Sequence, residues 1–130
     1  MFTIEQIKEA HSKVKSGADF PAYIRALKAL GVKRYDTFVT DGITEYSGEN
    51  NFSVKGPARY PAMQIASTPS ASELNNALRI HQTGGTDFPT FCKQAASCGV
   101  EKWRVDLNKM TCEYFDREEM VMVSEEIPGA

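Results

Sequence analysis

Apolar residues recur every three or four positions at the start of each half of the chain. Thr3 and Gln6 stand three residues apart, as in a capping box, so a first helix is predicted to begin there and to end at Gly17. The same reasoning predicts four helices in all, over residues 3–16, 21–30, 70–82 and 89–98. Asp19 and Asp87 precede the second helix of each pair and are interpreted as helix caps.

Alternating apolar and polar residues follow each pair of helices and predict antiparallel hairpins. Asp41-Gly42 is a typical type I′ turn at the centre of the first hairpin. In the second hairpin Arg104 falls opposite Glu113, which predicts a cross-strand ion pair on the solvated face. The segments predicted as strands are 35–40, 43–47, 51–54, 62–66, 103–107, 110–115 and 120–126.

A segment of the first half returns in the second half at a constant distance of 68 residues. Residues 19–48 align with 87–116 without a gap, and seven positions are identical, where unrelated sequence gives roughly two. This match predicts internal duplication of an α-α-β-β(-β) unit, as two repeats of about 1–66 and 67–130 within the single domain 1–130. The predicted fold is α+β, with a mainly antiparallel sheet and a pseudo-two-fold axis.

Composition narrows the classes of function. The formal net charge is −2 and the basic residues are scattered, so nucleic-acid binding is not expected. Three cysteines without a CxxC pair are typical of reduced thiols in a cytosolic protein. The chain has no apolar stretch long enough to span a membrane and no signal-peptide pattern at its start. We expect a cytoplasmic protein and predict no membrane contact, metal site or cofactor.

Two pairs of residues are candidates for catalysis. His11 and His81 each lie late in the first predicted helix of a half, where they could transfer protons, ligate a metal ion or act as partly buried rings. Glu45 and Glu113 recur at the 68-residue distance and could divide acid and base roles or act as surface charges. Packing is the favoured interpretation for the histidines, which lie on apolar helix stripes, and surface charge for the glutamates, which alternation places on the solvated face. The sequence contains no nucleophile motif, Walker loop or dinucleotide fingerprint.

Strand residues offer two binding alternatives. Four aromatic residues on the core side of the hairpins could form the floor of a ligand pocket, although core packing is commoner at such positions: Tyr35, Tyr46, Trp103 and Tyr114. Phe38 and Ile43 fall on the outer face of the first hairpin and need cover. Strands within 51–66 are the favoured cover, and a partner chain in a homodimer is the alternative.

Several segments resemble a known protein family. They are Phe-Thr-Ile-Glu-Gln-Ile-Lys at 2–8, the run at 14–23 that includes Asp-Phe-Pro, and Val-Glu-Lys-Trp at 100–103. These segments resemble an enterobacterial family of small proteins of unknown function, some encoded in prophages and labelled "phage envelope protein". The similarity extends over the whole chain but implies no catalytic or binding residue. Composition gives the envelope label no support.

These observations predict a small, prophage-associated accessory protein that binds a ligand or a protein of unknown identity. A groove between the two halves is the expected place for binding. One alternative is a small-molecule enzyme that uses a histidine and a carboxylate where the repeats meet. The other is a homodimeric interaction protein with Phe38 and Ile43 in its interface. Of these classes, the enzyme is the less favoured.

Overall fold

A computed structural model describes residues 2–14 and 19–127 of the protein. Two helices precede three strands, and this order then occurs a second time. The helices are α1 (Ile4–His11), α2 (Phe20–Leu30), α3 (Ala71–Gln82) and α4 (Phe88–Ser97). The strands are β1 (Arg34–Phe38), β2 (Thr44–Ser47), β3 (Ser53–Lys55), β4 (Lys102–Asp106), β5 (Thr111–Phe115) and β6 (Val121–Glu126).

The six strands form one antiparallel sheet in the order β3-β2-β1-β4-β5-β6. The central pair is β1 with β4, in a register that places Asp36 opposite Arg104. Each half therefore supplies three neighbouring strands, and the halves meet along β1 and β4. The predicted α+β class and antiparallel sheet are confirmed, while the internal duplication stays a prediction.

The core lies between one face of this sheet and the helices. Along β1 and β4, alternate residues such as Tyr35 and Val105 are buried, as strand geometry requires. Buried residues of all four helices, including Leu27, Leu74 and Phe91, belong to the same core cluster. The helices thus cover this face, which we call the core face. We call the opposite side of the sheet the open face.

The ends of the helices differ from the prediction in two places. The first helix ends at His11, because the next backbone bonds tighten: the N–H groups of Lys13 and Val14 donate to carbonyl oxygens three residues back instead of four. Asp19 makes no capping hydrogen bond, since its backbone is helical rather than extended. Its counterpart Asp87 is extended and does cap, accepting the Thr90 N–H at 2.8 Å. The predicted helix end at Gly17 lies outside the described residues.

The segment between β3 and α3 contains no strand, so the strand predicted at 62–66 is wrong. Its backbone bonds do not follow a neighbouring strand but go to separate places. The Met63 N–H donates to the Thr40 carbonyl oxygen at 2.6 Å, and the Ala66 N–H donates to that of Ala96 at 2.9 Å. The first hairpin is confirmed, but its turn spans residues 39–42, with a positive φ at Gly42 alone, instead of a type I′ turn.

Candidate functional site

An apolar row crosses the open face from β2 to β6. Cross-strand pairing places Phe38 beside Lys102, Lys102 beside Phe115, and Phe115 beside Val121. The row continues past Phe38 to Ile43, whose carbonyl oxygen accepts the Phe38 N–H at 2.9 Å. We call these five residues the open-face row. No described helix covers it.

Lys102 lies in the middle of this row, between two aromatic rings. Its Nζ is 5.9 Å from the centroid of Phe38 and 5.5 Å from that of Phe115, within range of cation–π attraction. The same ammonium lies 3.6 Å from Asp36 Oδ2 and 3.9 Å from Glu119 Oε1. The lysine side chain is only 14% exposed, so its stem fills space between the rings.

A charged row runs beside the open-face row, one pair of residues further along the strands. It consists of Lys55, Glu45, Asp36, Arg104 and Glu113, in that order across β3, β2, β1, β4 and β5. Arg104 binds Asp36 with both prongs of its guanidinium, Nε to Oδ1 at 2.8 Å and Nη2 to Oδ2 at 2.9 Å. Such a two-pronged pair is strong and directional. It joins the two halves at the centre of the sheet.

Arg104 was expected to pair with Glu113 across β4 and β5. The two residues do lie opposite each other, but the ion pair of Arg104 goes to Asp36 on β1 instead. Burial by itself would raise the pKa of Asp36. The hydrogen bonds and charge of Arg104, together with the charge of Lys102, outweigh this effect and hold that pKa below its usual value of 3.8. Asp36 is therefore ionised at neutral pH.

Phe38 and Ile43 are not covered by the 51–66 segment, contrary to the favoured prediction. The apolar side chains of that segment pack against the core instead: Phe52, Val54, Tyr60, Met63 and Ile65. Phe38 and Ile43 are half-buried and lie outside the core cluster. At the far end of the open-face row Val121 is 49% exposed, and the preceding residue, Met120, is 62% exposed.

Residues 8–126 match a family described as "Protein of unknown function (DUF1398)". The chain belongs to this family. No curated protein matches it. None of the helices in the described part of this DUF1398 protein is long and apolar enough to cross a membrane. Nor does that part contain a group of three or more His, Cys, Asp and Glu residues that could hold a metal ion.

The two histidines of the DUF1398 protein have equivalent neighbours but do not meet a carboxylate in any described contact. The His11 ring meets the Tyr23 ring edge-on, with centroids 5.3 Å apart. The His81 ring stacks on Phe91 at 4.6 Å, and its Nδ1 is 3.0 Å from the Thr86 carbonyl oxygen. Tyr23 and Phe91 are themselves 68 residues apart. Partial burial, and then the charge of Arg59, lower the pKa of His11.

The two candidate glutamates lie in the charged row, on the open face. Glu45 is on β2 and Glu113 is on β5, so β1 and β4 lie between them. Strand spacing puts the two residues about 14 Å apart, which is too far for two carboxylates to act on one bond. Glu45 has Lys55 as a neighbour, with 3.9 Å between Oε2 and Nζ. The arrangement favours surface charge over an acid–base pair.

The four candidate aromatic residues all lie on the core face and are at most 8% exposed. Tyr35 packs on Tyr46 with ring centroids 5.4 Å apart, and Trp103 packs on Tyr114 at 6.0 Å. Burial raises the pKa of Tyr35 and Tyr114 well above the usual value of 10.0. These rings form part of the core. Tyr46 also lines a small cavity beside α1.

Sequence reasoning found Phe38 and Ile43 but missed Asp36, Lys102 and Phe115 as members of the site. The missing information was the pairing of β1 with β4, which joins residues far apart in sequence. A usable signal was present in the 68-residue repeat. Where a two-fold axis passes between two antiparallel strands, one residue lies opposite its own equivalent, and Asp36 and Arg104 are 68 residues apart and form such a pair.

Proposed function

We propose that this DUF1398 protein is a protein-binding module that pairs with a second copy of itself through the open face. The observation that supports the proposal is the open-face row, whose apolar side chains lie across the sheet with no described helix above them. Among the described residues, three large apolar side chains are exposed, and two of them, Met120 and Val121, lie at one end of this row. Exposed apolar surface of this kind marks interaction sites.

The chemistry of this face suits a protein partner. Aromatic and aliphatic side chains at the centre, with charged residues at the side, are typical of protein interfaces. Phe38 and Phe115 supply the aromatic anchors. The face is a flat sheet surface, whereas small-molecule sites are concave. The titratable candidates His11 and His81 lie away from it, in the helical layer, so catalysis has no support here.

The charged row argues for a second copy as the partner. It carries both signs of charge, so the same surface on two molecules can place an acid of one copy over a base of the other across a two-fold axis. With that axis parallel to the strands, β1 of one copy faces β4 of the other. Asp36 then lies over Arg104 of the second copy. A face of six strands buries roughly 450 Å² per molecule, about half of a standard interface, so we expect a weak dimer with a dissociation constant on the order of micromolar.

Sedimentation velocity over a range of concentrations tests this proposal. The wild type is expected to show a monomer–dimer equilibrium that Phe38→Asp abolishes. Ile80→Asp is the matched control, because Ile80 is also a large apolar residue at the surface but lies on α3, in the helical layer away from the open face. It should leave the dimer intact. A second variant, Phe115→Asp, changes the same row on a different strand, so the result does not depend on the folding of one variant. Circular dichroism checks that each variant is folded.

Two outcomes would contradict the proposal. One is a wild-type protein that stays monomeric well above micromolar concentration. The other is a dimer whose dissociation constant is the same in Phe38→Asp and Phe115→Asp as in the wild type. In either case the open face does not hold a second copy.

A further inference from the structure

A small cavity of about 90 Å³ lies between α1, β2 and the loop that follows β3. Most of its wall is apolar side chain or backbone, from Ile4, Ile7, Thr44, Tyr46, Gly56 and Pro57. The remaining lining residues are two cations, Lys8 and Arg59. No carboxylate lines it among the residues that the structure describes. The cavity therefore has an almost wholly apolar lining, and two cationic residues stand at its wall.

The loop that carries Arg59 is fixed by its backbone. The Arg59 N–H donates to the Asp41 carbonyl oxygen at 2.8 Å, and the Gly56 N–H donates to that of Thr44 at 2.9 Å. The hydroxyl of the next residue, Tyr60, donates to the Val39 carbonyl oxygen at 2.6 Å. These bonds hold Arg59 in place without using its guanidinium.

Gly42 allows this loop to approach so closely. A Cβ added at Gly42 would lie 2.9 Å from the Tyr60 ring and 3.0 Å from the Arg59 Cβ, closer than real contacts allow. Its φ of +74° is also a conformation that favours glycine. The β1–β2 turn and the loop are thus fitted to each other, and the backbone that carries Arg59 is in place before any ligand arrives.

The Arg59 guanidinium has no acidic partner in the part of the chain that the structure describes. It lies over the ring of Phe88, 5.3 Å from the centroid, and Lys8 likewise forms no ion pair there. By contrast, the guanidinium of Arg104 forms two hydrogen bonds with the carboxylate of Asp36. A guanidinium without a carboxylate partner is suited to bind one through two parallel hydrogen bonds.

We propose that this cavity binds a small monocarboxylate with an apolar body, whose charge pairs with Arg59 and Lys8 and whose body contacts Ile4, Ile7 and Tyr46. If each non-hydrogen atom occupies ~15 Å³, about the volume of one water-sized sphere, the cavity holds a ligand of about six non-hydrogen atoms. Butyrate has this size. An apolar floor is poorly suited to inorganic phosphate, which needs polar contacts on every side. This site is separate from the open face and does not depend on dimerisation.

Isothermal titration calorimetry with butyrate tests the site. Butyramide is the control compound that has the same apolar body without the charge, and inorganic phosphate is the control anion that has no apolar body. Butyrate is expected to bind at least tenfold more tightly than either, since a charge-assisted pair is worth about that factor. Arg59→Gln and Lys8→Gln should each weaken butyrate binding, the first by at least tenfold. Lys109→Gln, in the exposed β4–β5 turn, is the matched control and should bind butyrate normally.

Three results would overturn the inference. They are no heat of binding with butyrate at millimolar concentration, equal binding of butyrate and butyramide, and equal binding by Arg59→Gln. If phosphate bound as tightly as butyrate, the claim that the ligand needs an apolar body would be wrong. Because Arg59 and Lys8 are exposed, both variants should keep the melting temperature of the wild type, which thermal denaturation checks.

Discussion

Replacing Asp36 by Asn should destabilise the protein at its centre. The substitution keeps the shape of the side chain but removes the charge that holds Arg104 and Lys102. Asp36 and Arg104 are 13% and 29% exposed, so this pair is neither at the surface nor fully buried. Exposed pairs contribute at most about 1 kcal/mol, and breaking a buried one costs about 3–5 kcal/mol. We expect a loss of about 2 kcal/mol in the free energy of unfolding.

The pH dependence of this loss has a definite sign. The folded pKa of Asp36 lies below its ordinary value of 3.8. A carboxyl whose pKa falls on folding stabilises the fold at pH values above its unfolded pKa. That contribution disappears as the pH falls through the lower, folded pKa. The difference between wild type and Asp36→Asn should therefore be constant from pH 8 to about pH 5 and should shrink towards pH 3.

Urea denaturation at several pH values measures both effects. At neutral pH a loss of about 2 kcal/mol corresponds to a fall of about 7 °C in melting temperature for a domain of this size. Glu113→Gln is the matched control, because Glu113 also lies beside Arg104 in the charged row but forms no ion pair with it. Its cost should be below about 0.5 kcal/mol. The reasoning fails if both variants cost the same, or if the Asp36→Asn difference persists unchanged in acid.

Three further predictions concern glycine, histidine and cysteine positions. Gly99 and Gly31 both end helices with positive φ, but a Cβ at Gly99 would lie 2.8 Å from backbone whereas Gly31 has open space. Chemical denaturation should therefore show a loss of about 3 kcal/mol for Gly99→Ala and about 1 kcal/mol for Gly31→Ala, and equal losses would refute the steric argument. Arg59→Gln should raise the pKa of His11 in an NMR titration, because a nearby positive charge is removed; no change would place Arg59 too far away. Burial raises the pKa of Cys112 to about 12. At pH 8 its thiol should therefore react with a disulfide reagent at least tenfold more slowly in the native protein than in denaturant. Equal rates would contradict that burial.

The elements that depend on local pattern could be predicted from the sequence. Both hairpins, the helix pairs and the alternation of buried and exposed residues follow from spacing and turn residues. The second hairpin has the predicted pairing, with Trp103 opposite Tyr114. The strand at 62–66 was also predicted from the local sequence pattern. It fails because its backbone finds partners at Thr40 and Ala96, which no local pattern reveals.

The candidate site depends on contacts between distant residues and was harder to predict. Phe38 was recognised as an outer-face residue, but its neighbour Lys102 is brought to it by the pairing of β1 with β4. Arg59 drew no attention in the sequence, because a lone arginine in a loop carries no pattern. Its role emerges from the cavity wall and from the absence of an acidic neighbour among the described residues.

The Asp36–Arg104 pair has a consequence for how such a sheet can arise. In a symmetric assembly of two identical short chains, a residue on the two-fold axis meets its own copy, so an acid would face an acid. Here the two positions belong to one polypeptide and can hold unlike residues. If the halves descend from a common ancestor, joining them end to end allowed opposite charges at a place where identical chains would have to present the same one.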